Sequence, residues 1–414
     1  MMPAIIEEVR ARKIIDSRGN WTIEVEILTD CSAGRCAAPS GASTGKYEAV
    51  AFPEGGVDKA ILEVEESIAP ELRGMDAANQ EEVDRILREV DGTDNFSNIG
   101  GNTAVAVSLA NAKAASGACG MPLFQFLGGN LACELPYPLG NVIGGGAHAE
   151  GATDVQEFLV IPVGARTIAE AVCTNAEVHR KLGRELARVC GAVGRGDEGA
   201  WAPAIDDAKA LELLSRVCDA VEAETGVKLR MGMDMAASQL WSEKDGCYIY
   251  RREGVKRSTE EQIEHVLELI DTYTLYYVED PLHEEDFDAF AELTSQAKAL
   301  ICGDDLYVTN TGRLARGIER GSSNAVLIKP NQCGTLTDTF RAVRLADNEK
   351  LTPVISHRSG ETTDTTIAHL AVAFGIPIIK TGTVGGERIA KLNELIRIDE
   401  ELSGRARLAK LPEF

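Results

Sequence analysis

Two runs of alternating apolar and polar residues flank a short polar break near the start of the chain, in IIEEVRARKIIDSRGNWTIEVEILTD. Period-two alternation on both sides of SRGN is a hairpin pattern. From residue 57 the period changes. VDKAILEVEESIAPEL, QEEVDRILREVDG and NTAVAVSLANAKAASG carry apolar residues at helical spacing, with glycine or proline at their ends. The first part of the chain therefore reads as a small α+β domain, a few strands followed by helices. CELPYPLGN, with two prolines and a glycine, punctuates the pattern and divides the chain into residues 1–133 and 134–414.

Beyond that point one unit recurs: an apolar run, a charged cluster, then a helical segment. The runs are LRMGMD, LYYVED, ALICGDD, NAVLIKPNQ, TPVISHRSG and PIIKTG. Between them lie STEEQIEHVLELIDTY, FDAFAELTSQAKA, NTGRLARGIERG and LTDTFRAVRLADNE. Repeated strand–helix units predict an α/β fold closed as an eight-fold βα barrel, with a doubly wound open sheet as the alternative. The number of units, and the lack of a GxGxxG after a first strand, favour the barrel.

Composition narrows the function. A chain of 414 residues with 44% hydrophobic and 26% charged residues fits a two-domain globular protein. No apolar run reaches the roughly 18–20 residues of a membrane span. The first residues carry frequent charges and no apolar core of a secretory signal, so the expected place is the cytoplasm, away from membranes. A net charge of −23 argues against non-specific nucleic-acid binding. It leaves room for an anionic substrate wherever local cations or a metal ion reverse the field. The ten cysteines are scattered without a CxxC pair, which reads as reduced, buried thiols and not as a zinc site.

The chemistry lies where the apolar runs end: Asp234, Glu279, Asp304, Lys329, His357 and Lys380, separated by 45, 25, 25, 28 and 23 residues. Any one of these could be a solvated loop start. Six in succession, three of them carboxylates, would converge on the face of a barrel where active sites form. Asp234, Glu279 and Asp304 offer hard oxygens without Cys or His beside them, a set suited to Mg2+. A lysine beside another cation and a metal ion is expected to lose proton affinity and to serve as a base. Metal and base together suit removal of a proton α to a carboxylate. Loss of hydroxide then needs an acid on the opposite face, for which Glu198, in GRGDEGAW, is the candidate. Arg358 and Ser359, in SHRSG, suit a phosphate. PSGASTGKYE at 39–48 looks like a phosphate loop but lacks the GxxxxGK[ST] spacing; its glycines read instead as hinges of a lid.

DSRGN, SGASTGKYEA, GAHAEGATDVQEF, GDEG, MDMAAS, VEDP, GDDLYVTN, LIKPNQCGT, SHRSGET and IKTG occur in this order over nearly the whole chain. Together they resemble the signature segments of the enolase family, whose superfamily pairs a lysine or histidine base with Mg2+. The resemblance implies a β2α2(βα)6 barrel behind an α+β capping domain, in a homodimer or homo-octamer. It also implies reversible dehydration of 2-phosphoglycerate to phosphoenolpyruvate with two Mg2+ per site. On this basis Lys329 is the base and Glu198 the acid, with Glu157 beside it and Gln156 in support. Asp234, Glu279 and Asp304 hold the first Mg2+ and Ser43 joins the second. His148 and His357 line the pocket, Arg358 and Ser359 hold the phosphate, and Lys380 neighbours the substrate carboxylate. Trp21, Gly144, Ala147, Glu150, Ala200, Pro330 and the TGTVGGER run depart from the common form. Glu150 is expected to bring an extra negative charge near the anionic substrate. The competing readings are another lyase or isomerase with the same metal triad, and a silent paralogue used as a binding protein.

Overall fold

Strands β1 (Ile6–Ile15) and β2 (Trp21–Thr29) form the predicted hairpin, with Ile15 opposite Trp21 and Val9 opposite Ile27. The turn is set by Asp16, whose carboxylate accepts the backbone N–H groups of Arg18 and Asn20, both at 2.9 Å. Gly19 supplies the positive φ of 77° that the turn requires. β3 (Ala33–Ala37) adds to β2 antiparallel. Ile23, Val25 and Ile27 are fully buried, and the sheet packs on a long helix of small residues. Helices α1 (Gly56–Glu63), α2 (Gln80–Asp91) and α3 (Gly101–Ala118) complete this layer. α3 lies so close to β3 that a Cβ on Gly34 would sit 2.1 Å from the Ala110 carbonyl oxygen. This computed structural model describes residues 4–41 and 45–414.

The second part is a closed barrel. Its strands are β4 (Tyr137–Gly144), β5 (Glu157–Ile161), β6 (Arg230–Asp234), β7 (Tyr277–Glu279), β8 (Leu300–Gly303), β9 (Ala325–Ile328), β10 (Thr352–Ser356) and β11 (Ile378–Gly382). They run in the order β7-β8-β9-β10-β11-β4-β5-β6, and β6 pairs with β7 to close the ring. Closure rules out the open-sheet alternative. β5 is antiparallel to both of its neighbours and the other pairings are parallel. Helices α4 (Ile168–Cys190) and α5 (Asp207–Thr225) follow the β4–β5 pair. α6 (Thr259–Tyr273), α7 (Phe287–Gln296), α8 (Thr311–Arg320), α9 (Leu336–Asn348), α10 (Thr366–Phe374) and α11 (Gly386–Glu401) follow β6 to β11 in turn. The order is β2α2(βα)6. Thr167, Asp206, Ser258, Asp286, Asn310 and Thr335 each cap a helix by accepting a backbone N–H.

Two expectations change. The YPLGN stretch, read as part of the punctuation, is already β4 and is buried throughout. Tyr137 donates its N–H to Pro377, so the nitrogen of Pro138 faces the other side, ahead of the point where β5 begins to pair. A missing donor costs no ladder bond there. Of the cysteines expected to be buried, Cys36, Cys218 and Cys302 are, while Cys31, Cys173 and Cys190 are exposed.

The N-terminal layer sits across the barrel mouth. Ser40 and Gly360 exchange backbone hydrogen bonds at 2.7 and 2.8 Å, Ala49 donates to the Gln332 carbonyl, and Lys113 pairs with Asp364. No helix among the described residues is long and apolar enough to cross a membrane.

Candidate active site

Three carboxylates lie abreast on neighbouring strands. Glu157 on β5 is in register with Asp234 on β6, and Asp234 with Glu279 on β7. Glu157 reaches this row because its strand runs backwards and starts where the others end. Asp304 follows β8 and Lys329 follows β9; His357 follows β10 and Lys380 lies in β11. Gly41, His148, Gln156, Glu157, Glu198, Asp234, Lys329, Ser356, His357, Arg358, Ser359 and Lys380 line a single cavity. Glu279 and Asp304 join it through the two lysines. The Lys380 ammonium is 2.8 Å from both Asp234 and Glu279 and 3.3 Å from Glu157, while Lys329 hydrogen-bonds Asp304. Ser43 lies outside the described residues.

Both lysines are held charged by the carboxylates they touch. Burial acts to lower both, and Arg358 and Lys380 push Lys329 in the same direction. Asp304 outweighs them for Lys329, and Asp234 with Glu157 and Glu279 for Lys380, so both stay above the ordinary lysine value. The carboxylates answer in kind. Burial and the charge of Asp234 push Glu279 up to about 8. Burial would also raise Asp304, but the Lys329 ammonium holds it below the ordinary range.

The residues fit a divalent cation. Five buried carboxylates, Glu157, Glu198, Asp234, Glu279 and Asp304, face two lysine ammonium groups. That leaves excess negative charge, expensive in a buried site, for protons or a cation to balance. The donors are hard oxygens of the kind Mg2+ takes. Among the described residues the tightest carboxylate groupings are His148–Glu157–Glu198 and Asp280–Asp304–Asp305, with ligand atoms within 4.8 Å, and the predicted triad is looser. Asp280 serves the backbone. Its carboxylate accepts the N–H groups of Asp304 and Asp305 at 2.9 and 2.8 Å, which fixes the turn after β8.

Glu198 stands on the turn 197–199 with φ 66° and ψ 5°, a left-handed conformation uncommon for a residue with a side chain. Glycines make room for it. A Cβ on Gly382 would lie 2.2 Å from the Glu198 carbonyl oxygen, and one on Gly199 2.4 Å from that of Val384. Asn141 donates to Glu198 Oε2 at 3.0 Å, and His357 Nε2 is 3.2 Å from the same oxygen. His148 Nδ1 lies 3.5 Å from Glu157 and 3.8 Å from Glu198 Oε1. Burial acts to raise Glu198, and its neighbours His357, His148 and Arg388 hold it below the ordinary range. Burial and the charge of Glu198 raise Glu157 well above it.

On the remaining wall Arg358 is 3% exposed and gripped by Glu48, with contacts of 3.0 and 3.1 Å, and by Asn331 at 2.9 Å. Glu48 also accepts from Gly45 N–H and from Gln332, which donates to Asp304. Glu48 closes the stretch that looked like a phosphate loop. Its neighbour Gly45 lies against the barrel, where a Cβ would meet Val308 at 2.6 Å.

Two family models match the chain: the enolase N-terminal domain over residues 6–127, and the enolase C-terminal TIM barrel domain over 132–411. The chain belongs to the enolase family. It is 58% identical to the enolase of Methanothermobacter thermautotrophicus, covering 99% of this chain and 100% of that one. It is 57% identical to the enolase of Methanosphaera stadtmanae (97% and 98% covered) and 54% identical to that of Archaeoglobus fulgidus (98% and 100% covered). Two of the departures from the common enolase form lie outside the cavity just described. Trp21 is 59% exposed and carries the Lys13 ammonium over its ring. Glu150 is exposed and lines a neighbouring cleft of about 650 Å3 with Asp154, Gln156, Arg251 and Arg252.

Sequence reasoning missed Asn141, Glu48, Asn331, Gln332, Asp280 and Arg388. Each aims another group, and a polar residue in that role has no spacing signature. Arg388 left one trace. It shares a buried face of α11 with Lys391, Leu392, Leu395 and Ile398, where a cation is out of place unless it has partners.

Proposed function

We propose that Lys329 takes the C2 proton of 2-phospho-D-glycerate and that Glu198 protonates the departing C3 hydroxyl, giving phosphoenolpyruvate and water. This reversible dehydration is the enolase reaction, a hydro-lyase step of glycolysis and gluconeogenesis. The observation that carries the assignment is the placement of the two groups. Lys329 follows β9, four strands around the ring from β5, and Glu198 stands beside Glu157 of β5 in the same cavity. Base and acid then face a three-carbon acid from opposite sides, as loss of water across C2–C3 requires.

Lys329 must give up its proton before it can act, so the charge of Asp304 has to be engaged elsewhere. Asp234, Glu279 and Asp304 would hold one Mg2+, and Ser43 would join a second. Bound there, the ions would neutralise the carboxylates that now keep the lysines charged and would stabilise the ene-diolate charge. Glu198 needs a proton for the forward reaction. Glu157, within reach and raised by burial, supplies the store, with His148 between them. Arg358 and Ser359 receive the phosphate, and Lys380 faces the substrate carboxylate. Gln156 donates to Asp234 at 3.3 Å and keeps that carboxylate turned into the cavity. The division at 133/134, the homodimer or homo-octamer and the cytoplasmic location rest on the family likeness; sedimentation reads the assembly.

Two measurements on one sample test the roles: C2 proton exchange with solvent, and phosphoenolpyruvate formation by absorbance. Lys329→Ala should abolish exchange. Glu198→Gln should keep exchange while dehydration falls. Normal dehydration by Glu198→Gln would remove the acid assignment.

A further inference from the structure

Arg388, in the first turn of α11, is fully buried and aims its guanidinium at the strand-end turn that carries His357, Arg358 and Ser359. Nη1 donates to His357 Nδ1 at 2.7 Å and to the Arg358 carbonyl, and Nη2 donates to the Ser359 carbonyl at 2.6 Å. The Gly382 N–H also points at His357 Nδ1, at 3.3 Å. A guanidinium has donors only, and so has a backbone amide nitrogen. Nδ1 therefore carries no hydrogen, and the neutral ring holds its single proton on Nε2. The partner of one ring nitrogen sets the state of the other.

Nε2 is buried without a well-aligned hydrogen-bond partner, and the nearest carboxylate oxygen is Glu198 Oε2, 3.2 Å away, which already accepts from Asn141. Asn141 thus holds Oε2, a small rotation of the carboxyl would bring the Nε2–H of His357 onto the same oxygen, and Oε1, on the side of His148, is left to carry a proton. We propose that Arg388 is a positioning residue for the acid: by fixing the Nε2–H tautomer of His357 it directs two hydrogen bonds to Glu198 Oε2 and reserves Oε1 for the proton given to the leaving hydroxyl. The proposal rests on the acid assignment of Glu198 but makes a separate claim about His357.

Three measurements test it. The chain has six histidines, so histidine labelled with 15N gives a resolvable spectrum, in which His357 is identified by its loss in His357→Gln. The wild-type ring should show a bare Nδ1 and a protonated Nε2, and Arg388→Met should shift it toward the other tautomer. Dehydration by Arg388→Met should fall about 10- to 100-fold, the usual effect of removing a group that orients a reacting residue. C2 exchange should fall far less, and Arg388→Lys, which keeps a donor, should recover part of the loss. In addition, His357→Gln places an amide N–H where Nε2–H was, and His357→Asn does not reach that far. Gln should therefore retain more dehydration than Asn. A wild-type ring protonated on Nδ1, or an Asn variant as active as the Gln one, overturns the proposal even if Arg388→Met fails to fold. Failure of the acid assignment looks different: normal dehydration by Glu198→Gln with the His357 tautomer unchanged.

Discussion

Replacing Gly382 by alanine adds one methyl group where the barrel is tightest around the proposed acid. The new Cβ would stand 2.2 Å from the Glu198 carbonyl oxygen and 3.0 Å from Arg388 Cγ. Ordinary contact begins at 3.4 Å, so the Glu198 backbone must retreat by about 1.2 Å, while the flexible Arg388 stem needs a smaller adjustment. Gly382 does not occupy the positive-φ region, so alanine meets no backbone strain of its own and the effect is steric. A displacement of about 1 Å at a reacting group costs roughly 100-fold in rate. That corresponds to about 2.7 kcal/mol of transition-state stabilisation. The Arg388 stem is flexible and can turn aside while its guanidinium keeps hold of the Arg358 and Ser359 carbonyls, so KM should change less than turnover. The assay is phosphoenolpyruvate formation under saturating substrate beside C2 proton exchange, with thermal unfolding as control, since overpacking alone costs about 1–3 kcal/mol of stability. Slow dehydration with near-normal exchange is the expected result. Equal loss of both, or no loss of dehydration, would refute the argument that Glu198 works only in the position Gly382 leaves open.

Chelation should stop turnover and added Mg2+ should restore it; full activity in excess chelator would refute the metal role of Asp234, Glu279 and Asp304. A pH effect on stability follows from Asp207, at the start of α5, which burial pushes up to about 7 from an ordinary 3.8 while it accepts N–H bonds from Asp154 and Val155. A carboxyl raised on folding is comfortable when protonated, so its contribution is intact below pH 3.8 and is lost as pH rises to about 7. Asp207→Asn keeps an acceptor for the two amides and removes the ionisation. The variant should gain on the wild type across that interval by an amount on the order of 4 kcal/mol, read from urea unfolding at several pH values. Parallel curves for the two proteins would mean that Asp207 is not the titrating group.

The fold was legible where its pattern was local. The DSRGN hairpin, the amphipathic helices with their caps and the six late strands each show a period or a breaker in the sequence. The first barrel strand did not. Tyr137–Gly144 is buried on both faces, so it does not alternate, and its proline and glycines resemble a linker. Pro138 is allowed only because its nitrogen faces a gap in the pairing, which is a property of the neighbouring strand and not of the residue.

The site divides along the same line. Reading the ends of the apolar runs found Asp234, Glu279, Asp304, Lys329, His357 and Lys380 because parallel strands bring their C-terminal ends to one face. The rule could not find Glu157, which begins its strand and was found through family likeness alone. The strand-end rule also gave no sign that Asp304, 25 residues from Lys329 in sequence, is hydrogen-bonded to it in space. A base that is held protonated by a candidate metal ligand can act only when that ligand is occupied. Under the proposed roles, the pairing of Lys329 with Asp304 and of Lys380 with Asp234 and Glu279 would couple cation binding to release of the base. That coupling belongs to the barrel closing, because only closure sets each lysine beside carboxylates from other strands.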